Sequence, residues 1–128
     1  MFSVVIPLYN KADYINKSIE SVLNQSFVDF ELIVVDDGST DTSAEIAQSF
    51  LTDDHKLIRQ QNTGVSAARN TGVANARHEL IAFLDADDWW EPDFLQEMKF
   101  LIESHPEAGL YSSNFYTVSY THLTLPTN

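Results

Sequence analysis

The sequence of 128 residues lacks cysteine entirely, and it contains no apolar run that approaches the length of a membrane span. The first absence excludes a disulfide framework and a cysteine-based zinc site. The second argues against a transmembrane helix, which needs about 20 consecutive apolar residues. The amino-terminal residues also lack the basic stretch and long apolar core of a signal peptide. We therefore expect a cytoplasmic location, either free or attached to the inner face of a membrane.

Positive charge is scarce. The sequence has 7 lysine and arginine residues against 19 aspartate and glutamate residues, a net charge of −12. Because such a surface repels a phosphate backbone, we expect no nucleic-acid partner. Hydrophobic residues at 44% and charged residues at 20% are typical of a globular domain and argue against disorder, collagen and coiled coil. The length fits one domain with one hydrophobic core.

Short apolar runs alternate with amphipathic stretches along the chain. The runs predict buried strands at residues 3–8, 30–35, 56–61 and 80–84, with a fifth strand at 109–115. Four stretches predict helices: residues 11–25; a stretch after a capping box of Thr42 and Glu45; a stretch with Val65, Ala68, Gly72 and Ala76 on its inner face; and a stretch starting near Pro92. This alternation predicts an α/β fold, a mostly parallel sheet with helices on both faces.

Residues 118–128 do not continue this alternation. They form a cluster rich in threonine and serine that predicts neither a helix nor a parallel strand. We therefore predict a domain over residues 1–117 and a non-native or irregular tail over residues 118–128. A native edge strand is the alternative interpretation of the tail.

Polar residues follow the predicted strands at the points where each strand ends. Tyr9 follows the first strand, residues 36–39 follow the second, and residues 85–88 follow the fourth, while Arg69 lies on the third helix. In an open parallel sheet, ligands bind beyond the carboxyl ends of the strands. The sequence therefore predicts one binding site at this edge of the sheet.

The acidic run at residues 85–88 places three carboxylates within four residues. At an effective dielectric constant of about 20, two such charges about 4 Å apart repel each other by roughly 4 kcal/mol. A divalent cation reverses the sign, and Mg²⁺ or Mn²⁺ suits these oxygen ligands. A solvated turn before the next helix is the alternative. An EF-hand loop is excluded because Trp89 and Trp90 stand where it needs an acidic or amide residue and then glycine.

Three further residues each allow two interpretations. Asp37 can accept a hydrogen bond from a nucleobase N–H, or it can belong to a simple turn between a strand and a helix. Tyr9 can stack on a base, or it can be a buried edge residue. Arg69 can pair with a phosphate, or with a nearby carboxylate such as Asp87. The sequence has neither a P-loop nor the glycine fingerprint of dinucleotide binding.

Four segments carry a family resemblance. They are Ser-Val-Val-Ile-Pro-Leu-Tyr-Asn at 3–10, Val-Asp-Asp-Gly-Ser-Thr-Asp at 35–41, Asn-Thr-Gly-Val-Ser-Ala-Ala-Arg-Asn-Thr-Gly at 62–72 and Leu-Asp-Ala-Asp-Asp at 84–88. In this order and at this spacing they resemble the family 2 glycosyltransferases of the GT-A fold. The resemblance covers residues 2–116, and it implies a truncated GT-A fold.

The resemblance also implies roles for individual residues. The implied donor nucleotide-binding residues are Pro7, Tyr9, Asp37, Arg69 and Asp85. Pro7 and Tyr9 would hold the base and ribose, Asp37 would bond a uracil-type base, and Arg69 would lie near the nucleotide.

The implied metal ligand is Asp87, which would hold Mn²⁺ or Mg²⁺ on the diphosphate. Asp85, also near the ribose, and Asp88 would support it. This assignment agrees with the chemistry of the acidic run, because acidic side chains can face a diphosphate only through a cation.

The implied reaction is inverting transfer of a sugar from a nucleotide-diphosphate sugar to a hydroxyl of a saccharide or lipid-linked acceptor. The expected nucleotide of the donor is UDP. Polysaccharide and cell-envelope assembly are typical settings for such a reaction. Family members run well beyond this length, and we expect the catalytic base beyond the end of this chain. The chain therefore resembles the donor-binding half of an enzyme, with an exposed surface that favours self-association.

Two alternatives stay open at this stage. One is a module that binds nucleotide and metal without turnover. The other is a sugar nucleotidyltransferase, which is disfavoured because residues 7–11 are not the glycine-rich basic loop that holds a triphosphate.

Overall fold

The computed structural model describes residues 1–110, over which strands and helices alternate. The elements are β1 (Phe2–Leu8), α1 (Ile15–Leu23), β2 (Phe30–Asp36), α2 (Ser43–Phe50), β3 (Lys56–Arg59), α3 (Val65–Ala74), β4 (Leu80–Phe83) and α4 (Phe94–Ser104). The strands form a sheet in the order β3-β2-β1-β4, and every neighbouring pair is parallel. The predicted α/β fold with a parallel sheet is confirmed.

The two central strands form the core of the sheet. All seven residues of β1 are buried, and six of the seven in β2. Side chains alternate between the faces of a strand. The even-numbered positions of both strands pack in the larger cluster with residues of α1, α2 and α4, whereas Ile33 and Val35 pack against Ala68 of α3. Helices therefore cover both faces, as the sequence predicts.

Helix α3 lies unusually close to the sheet at Gly72. A Cβ added there would lie 2.4 Å from Val5 Cγ1, so only glycine permits this approach. Ala68 is buried as predicted, but the prediction for Val65 is wrong, because its side chain is 51% exposed. Val65 is the first residue of α3, and the packing within residues 1–110 leaves it half exposed.

The helix starts differ from the sequence prediction in two places. Helix α1 begins at Ile15, and the residues from 12 to 14 form a turn. The capping box at Thr42 is absent, because the Thr42 side chain makes no capping hydrogen bond. The Ser43 N–H instead donates to Asp41 Oδ1 at 2.9 Å, so the acceptor comes from one residue earlier.

The register of the strands determines where the loops emerge. Leu8 pairs with Asp36 at the carboxyl ends of β1 and β2, and the Asp37 N–H donates to the Leu8 carbonyl at 2.8 Å. Beyond β4, the Leu84 N–H donates to the Val5 carbonyl at 3.1 Å. The loops that follow these strands therefore leave from one edge of the sheet.

The carboxyl-terminal predictions fall mostly outside the described residues. Of the predicted strand at 109–115, the structure describes Gly109 and Leu110, which lie in irregular backbone. The predicted domain boundary at 117 and the tail at 118–128 lie beyond residue 110. Within residues 1–110, none of the helices combines the length and the hydrophobicity that crossing a membrane requires.

Candidate functional site

A cleft of about 460 Å³ opens at the carboxyl edge of the sheet. Six of the seven residues that the sequence predicts for nucleotide and metal binding line it: Pro7, Tyr9, Arg69, Asp37, Asp85 and Asp87. Asp88 does not. The structure therefore brings together in one cavity residues from one strand, three loops and one helix that are separated by up to 80 positions in the sequence.

The loop after β1 forms one wall of the cleft. Tyr9 leaves 44% of its surface exposed there, so its ring is not a buried edge residue. Asn10 adopts φ 50°, in the left-handed region that asparagine tolerates better than most residues. Its Oδ1 accepts hydrogen bonds from the N–H groups of Thr40 at 2.8 Å and Asp41 at 3.3 Å. The loop after β1 is thus joined to the loop after β2.

The Asp37 carboxylate holds the loop before α3. Its Oδ1 accepts from Gln60 Nε2 and from the Thr63 N–H, both at 2.9 Å, and its Oδ2 accepts from the Gly64 N–H at 2.9 Å. Burial raises the pKa of Asp37, but the hydrogen bonds from Gln60, Thr63 and Gly64 outweigh burial and leave the pKa below its ordinary value. The group is therefore an anion at neutral pH. Oδ2 accepts one hydrogen bond against several on Oδ1, so Oδ2 keeps more acceptor capacity.

Glycine is required where these two loops meet. Gly38 has φ +80°, and a Cβ there would lie 2.9 Å from the backbone nitrogen of Asn62. The turn after Asp37 therefore packs directly on the chain that leads into α3.

The two acidic side chains of the loop after β4 that line the cleft, Asp85 and Asp87, each face a cation. Arg69 Nη2 lies 3.4 Å from Asp85 Oδ1, and Lys11 Nζ lies 3.8 Å from Asp87 Oδ2. The sequence allows a phosphate or a carboxylate such as Asp87 as the partner of Arg69. In the structure Arg69 pairs with the carboxylate of Asp85. These cations offset the carboxylate repulsion that the sequence pattern suggests.

The hydroxyl of Ser18 on α1 holds the backbone of the acidic loop. This buried hydroxyl lies within reach of the carbonyls of Asp85, Ala86 and Asp88, and it can donate to one of them at a time. The Asp88 N–H donates to the Asp85 carbonyl at 3.0 Å, which closes a turn. Asp88 therefore helps to shape the loop and does not line the cleft.

Within residues 1–110, no three histidine, aspartate or glutamate side chains stand close enough to hold a metal ion by themselves. Asp85 and Asp87 offer two carboxylates of the type that Mg²⁺ and Mn²⁺ prefer, and Mg²⁺ commonly takes one or two carboxylates with substrate phosphates and water. The donor set thus fits a cation that is shared with a bound diphosphate.

Sequence reasoning missed several residues of this site. Lys11 lines the cleft, and its place two positions after Tyr9 was the available signal. Gln60 and Thr63 fix Asp37, and Ser18 holds the acidic loop, but nothing local in the sequence marks these roles.

The chain is similar to two solved glycosyltransferases of the GT-A fold. S. aureus TarS in complex with UDP-GlcNAc superposes with a TM-score of 0.77 at 32% identity, over 82% of this chain and 32% of that chain. The mannosyltransferase PcManGT from Pyrobaculum calidifontis, in complex with GDP-Man and Mn²⁺, superposes with a TM-score of 0.73 at 26% identity, over 79% of this chain and 32% of that chain. The chain therefore has the GT-A fold.

The family follows from the sequence match. The model of glycosyl transferase family 2 matches residues 3–124. The glycosyltransferase GlyA of Streptococcus pneumoniae is 38% identical over 117 residues, which are 90% of this chain. The chain belongs to glycosyl transferase family 2, as its four segments indicate. It spans 17% of the length of GlyA and 32% of each of the two solved chains.

Proposed function

We propose that this chain forms the donor-binding part of an inverting glycosyltransferase that takes a UDP-linked sugar and transfers it to a hydroxyl acceptor. The observation that carries the proposal is the single cleft that gathers Tyr9, Asp37, Arg69 and the two acidic side chains of the loop after β4. Its volume of about 460 Å³ lies in the usual range for small-molecule sites. The UDP-GlcNAc complex of TarS supports the choice of donor class.

The nucleoside half of the donor lies against the walls formed by Pro7, Tyr9 and Asp37. The exposed ring of Tyr9 offers a face for base stacking, a contact worth about 1–3 kcal/mol. Asp37 Oδ2 accepts a base N–H alongside its bond from Gly64, while Oδ1 stays engaged with the loop before α3. Asp37 thus both binds the base and positions the opposite wall of the cleft.

The acidic loop would hold Mn²⁺ or Mg²⁺ for the diphosphate. Asp87 would be the ligand of the ion, Asp85 would support it and face the ribose, and Asp88 holds the shape of the loop. The remaining ligands would be phosphate oxygens and water, in keeping with the finding that no three acidic or histidine side chains within residues 1–110 are placed to hold an ion by themselves. When bound, the ion supplies charge neutralisation for the departing nucleoside diphosphate.

In the proposed reaction, the acceptor hydroxyl attacks the anomeric carbon from the face opposite the leaving diphosphate, and a carboxylate base takes its proton. Arg69 contributes positive charge near the nucleotide, where negative charge grows as the glycosidic bond breaks. The base and the acceptor subsite belong to the protein beyond the residues described here. The acceptor is a saccharide or lipid-linked saccharide, as in polysaccharide or cell-envelope assembly.

Titration calorimetry tests donor binding directly. UDP, GDP, CDP and dTDP are titrated into the purified chain with Mn²⁺ and, separately, with EDTA. We expect UDP to bind more tightly than the others, and more tightly with Mn²⁺. Absence of binding by all four nucleotides, in a chain that circular dichroism shows to be folded, would overturn the proposal.

A second assay separates the alternative functions. Release of free sugar or of a glycosylated acceptor from UDP-GlcNAc indicates a transferase. Release of pyrophosphate from UTP and a sugar phosphate indicates a nucleotidyltransferase. Metal-dependent binding of UDP without either product indicates a module that binds nucleotide and does not turn over.

A further inference from the structure

The cleft of this acidic chain contains basic as well as acidic side chains. All seven lysine and arginine residues lie within the described residues, and two of them, Lys11 and Arg69, line the cleft. The others lie elsewhere; for example, Lys99 pairs with Glu103 at 2.9 Å on α4. The cleft therefore holds two cations beside the carboxylates of Asp37, Asp85 and Asp87, in a molecule of net charge −12.

The backbone of Lys11 is held in place while its side chain is exposed. Its N–H donates to Ser43 Oγ at 2.8 Å, and the preceding Asn10 is bonded to the loop after β2. The side chain reaches across the mouth of the cleft, where Nζ lies 3.8 Å from Asp87 Oδ2 and both side chains are more than 40% exposed. An ion pair of this length and exposure contributes little to stability, so the ammonium group can change partners at low cost.

We infer that Lys11 is a phosphate-binding residue of the donor site, and that its ammonium group leaves Asp87 for the diphosphate when the nucleotide binds. This inference rests on the proposed function. A lysine ammonium is a compact positive charge that binds phosphate oxygens well. The exchange also frees the Asp87 carboxylate, which in the proposed function holds the metal ion. One movement of Lys11 therefore prepares both groups for the diphosphate.

If Lys11 binds phosphate, removing its charge must weaken the binding of the phosphates and not the binding of the base. We therefore compare UDP with uridine, which has the same base and ribose but no phosphate. In Lys11→Met, which keeps the length of the side chain and removes its charge, we expect the affinity for UDP to fall about tenfold in EDTA, while the affinity for uridine changes less than twofold. Lys11→Arg keeps the charge, and we expect it to retain UDP affinity to within about threefold.

The matched control is Lys99→Met, which removes a cation that does not line the cleft and should leave both affinities unchanged. Equal loss of UDP and uridine affinity in Lys11→Met, or no loss of either, would overturn the inference while wild-type binding of UDP upholds the proposed function. If Lys11→Met does not fold, Lys11→Arg serves as the test. Equal falls in its affinities for UDP and for uridine would then overturn the inference. Failure of the wild-type chain to bind any nucleotide would instead reject the proposed function itself.

Discussion

At the scale of single residues, the side chain of Asn10 connects two loops of the cleft. Its Oδ1 accepts from two backbone N–H groups of the loop after β2, and its backbone occupies the left-handed region. Both properties are uncommon in combination, since most side chains either avoid this region or offer no acceptor. Asn10 therefore determines where its neighbours Tyr9 and Lys11 stand.

Three substitutions at Asn10 separate the backbone requirement from the hydrogen bonds. Asn10→Ala loses both, and we expect the free energy of unfolding to fall by about 1–3 kcal/mol. Asn10→Gly keeps the backbone freedom and should lose less. Asn10→Asp keeps an acceptor and tolerates the same φ, so it should stay within about 1 kcal/mol of the wild type. Urea unfolding followed by circular dichroism measures all three, and equal destabilisation by alanine and aspartate would contradict the role of Oδ1.

Asp87 is the residue whose removal tests the metal assignment. In Asp87→Ala we expect UDP to bind with the same affinity in Mn²⁺ as in EDTA, because the proposed ligand of the ion is removed. Calorimetry in the two buffers measures the difference. The control is Asp53→Ala, in the exposed turn between α2 and β3, which should keep the full effect of Mn²⁺. Full metal dependence in Asp87→Ala would show that another group holds the ion.

At the scale of secondary-structure elements, the close packing of α3 on β1 governs one side of the cleft. The helix carries Arg69 and presents its first turn to the cavity. Gly72 permits the contact with Val5, and the Asp37 carboxylate fixes the approach of the chain at Gly64. A shift of α3 away from the sheet would therefore move one wall of the cleft.

The substitution Gly72→Ala tests this packing, because we expect it to change the free energy of unfolding in the direction opposite to the usual one. In a helix interior, replacing glycine by alanine normally stabilises by about 0.5–1 kcal/mol. Here the new methyl group would overlap Val5, and overpacking typically costs about 1–3 kcal/mol, so we expect net destabilisation. Chemical denaturation measures the change. Gly109→Ala is the control, because a Cβ there meets no atom of residues 1–110 within 4 Å, and a stabilised Gly72→Ala would refute the close contact.

At the scale of the whole molecule, the end of the sheet opposite the cleft contains a buried charged group. Glu31 of β2 is fully buried and accepts from the Ser3 hydroxyl at 2.6 Å and from Arg77 Nε at 3.1 Å. Burial raises its pKa, but hydrogen bonds from Arg77 and Ser3 and the charges of Lys56 and Arg77 outweigh burial, so the pKa is lowered overall. This carboxylate stabilises the fold above its ordinary pKa of 4.5, and that stability is lost as the pH falls through its lowered value.

His55 makes the molecule sensitive to pH in a higher range. Its Nδ1 accepts the Leu32 N–H at 3.0 Å, so the folded chain holds a neutral ring. Burial lowers the pKa of His55 below its ordinary value of 6.5; the Asp54 and Glu31 carboxylates oppose this shift, and Arg77 reinforces it. Because the unfolded chain takes up the proton more readily, stability falls as the pH drops below 6.5.

His55→Asn tests this dependence, since the amide oxygen of asparagine can replace Nδ1 as acceptor for Leu32 without titrating. We expect the urea midpoint of the wild type to fall between about pH 7 and pH 5, above the range in which carboxylates titrate. The midpoint of His55→Asn should change less over that interval, from a lower starting value because the stack on Phe30 is lost. His105→Asn, on the surface, should behave like the wild type. An undiminished pH dependence in His55→Asn would assign the effect to another group.

The sequence by itself determined the elements and the location of the site. Buried strands such as β1 appear as continuous apolar runs, helices as apolar stripes, and the polar residues that follow each strand indicate the ligand-binding edge. These features are local, because the side chains of neighbouring residues and the backbone between them suffice to specify them.

The tertiary structure decided which groups meet. The pairing of Arg69 with Asp85, the bonds from Gln60 to Asp37 and the approach of Lys11 to Asp87 join residues from 16 to 76 positions apart. No local pattern encodes such pairings, since they depend on how far each loop extends once the sheet has brought the loops together. The start of α2 shows the same limit, because Asp41 takes the place that the local capping pattern assigns to Thr42. Local chemistry thus places the site, and distances across the folded chain determine how its charges are arranged.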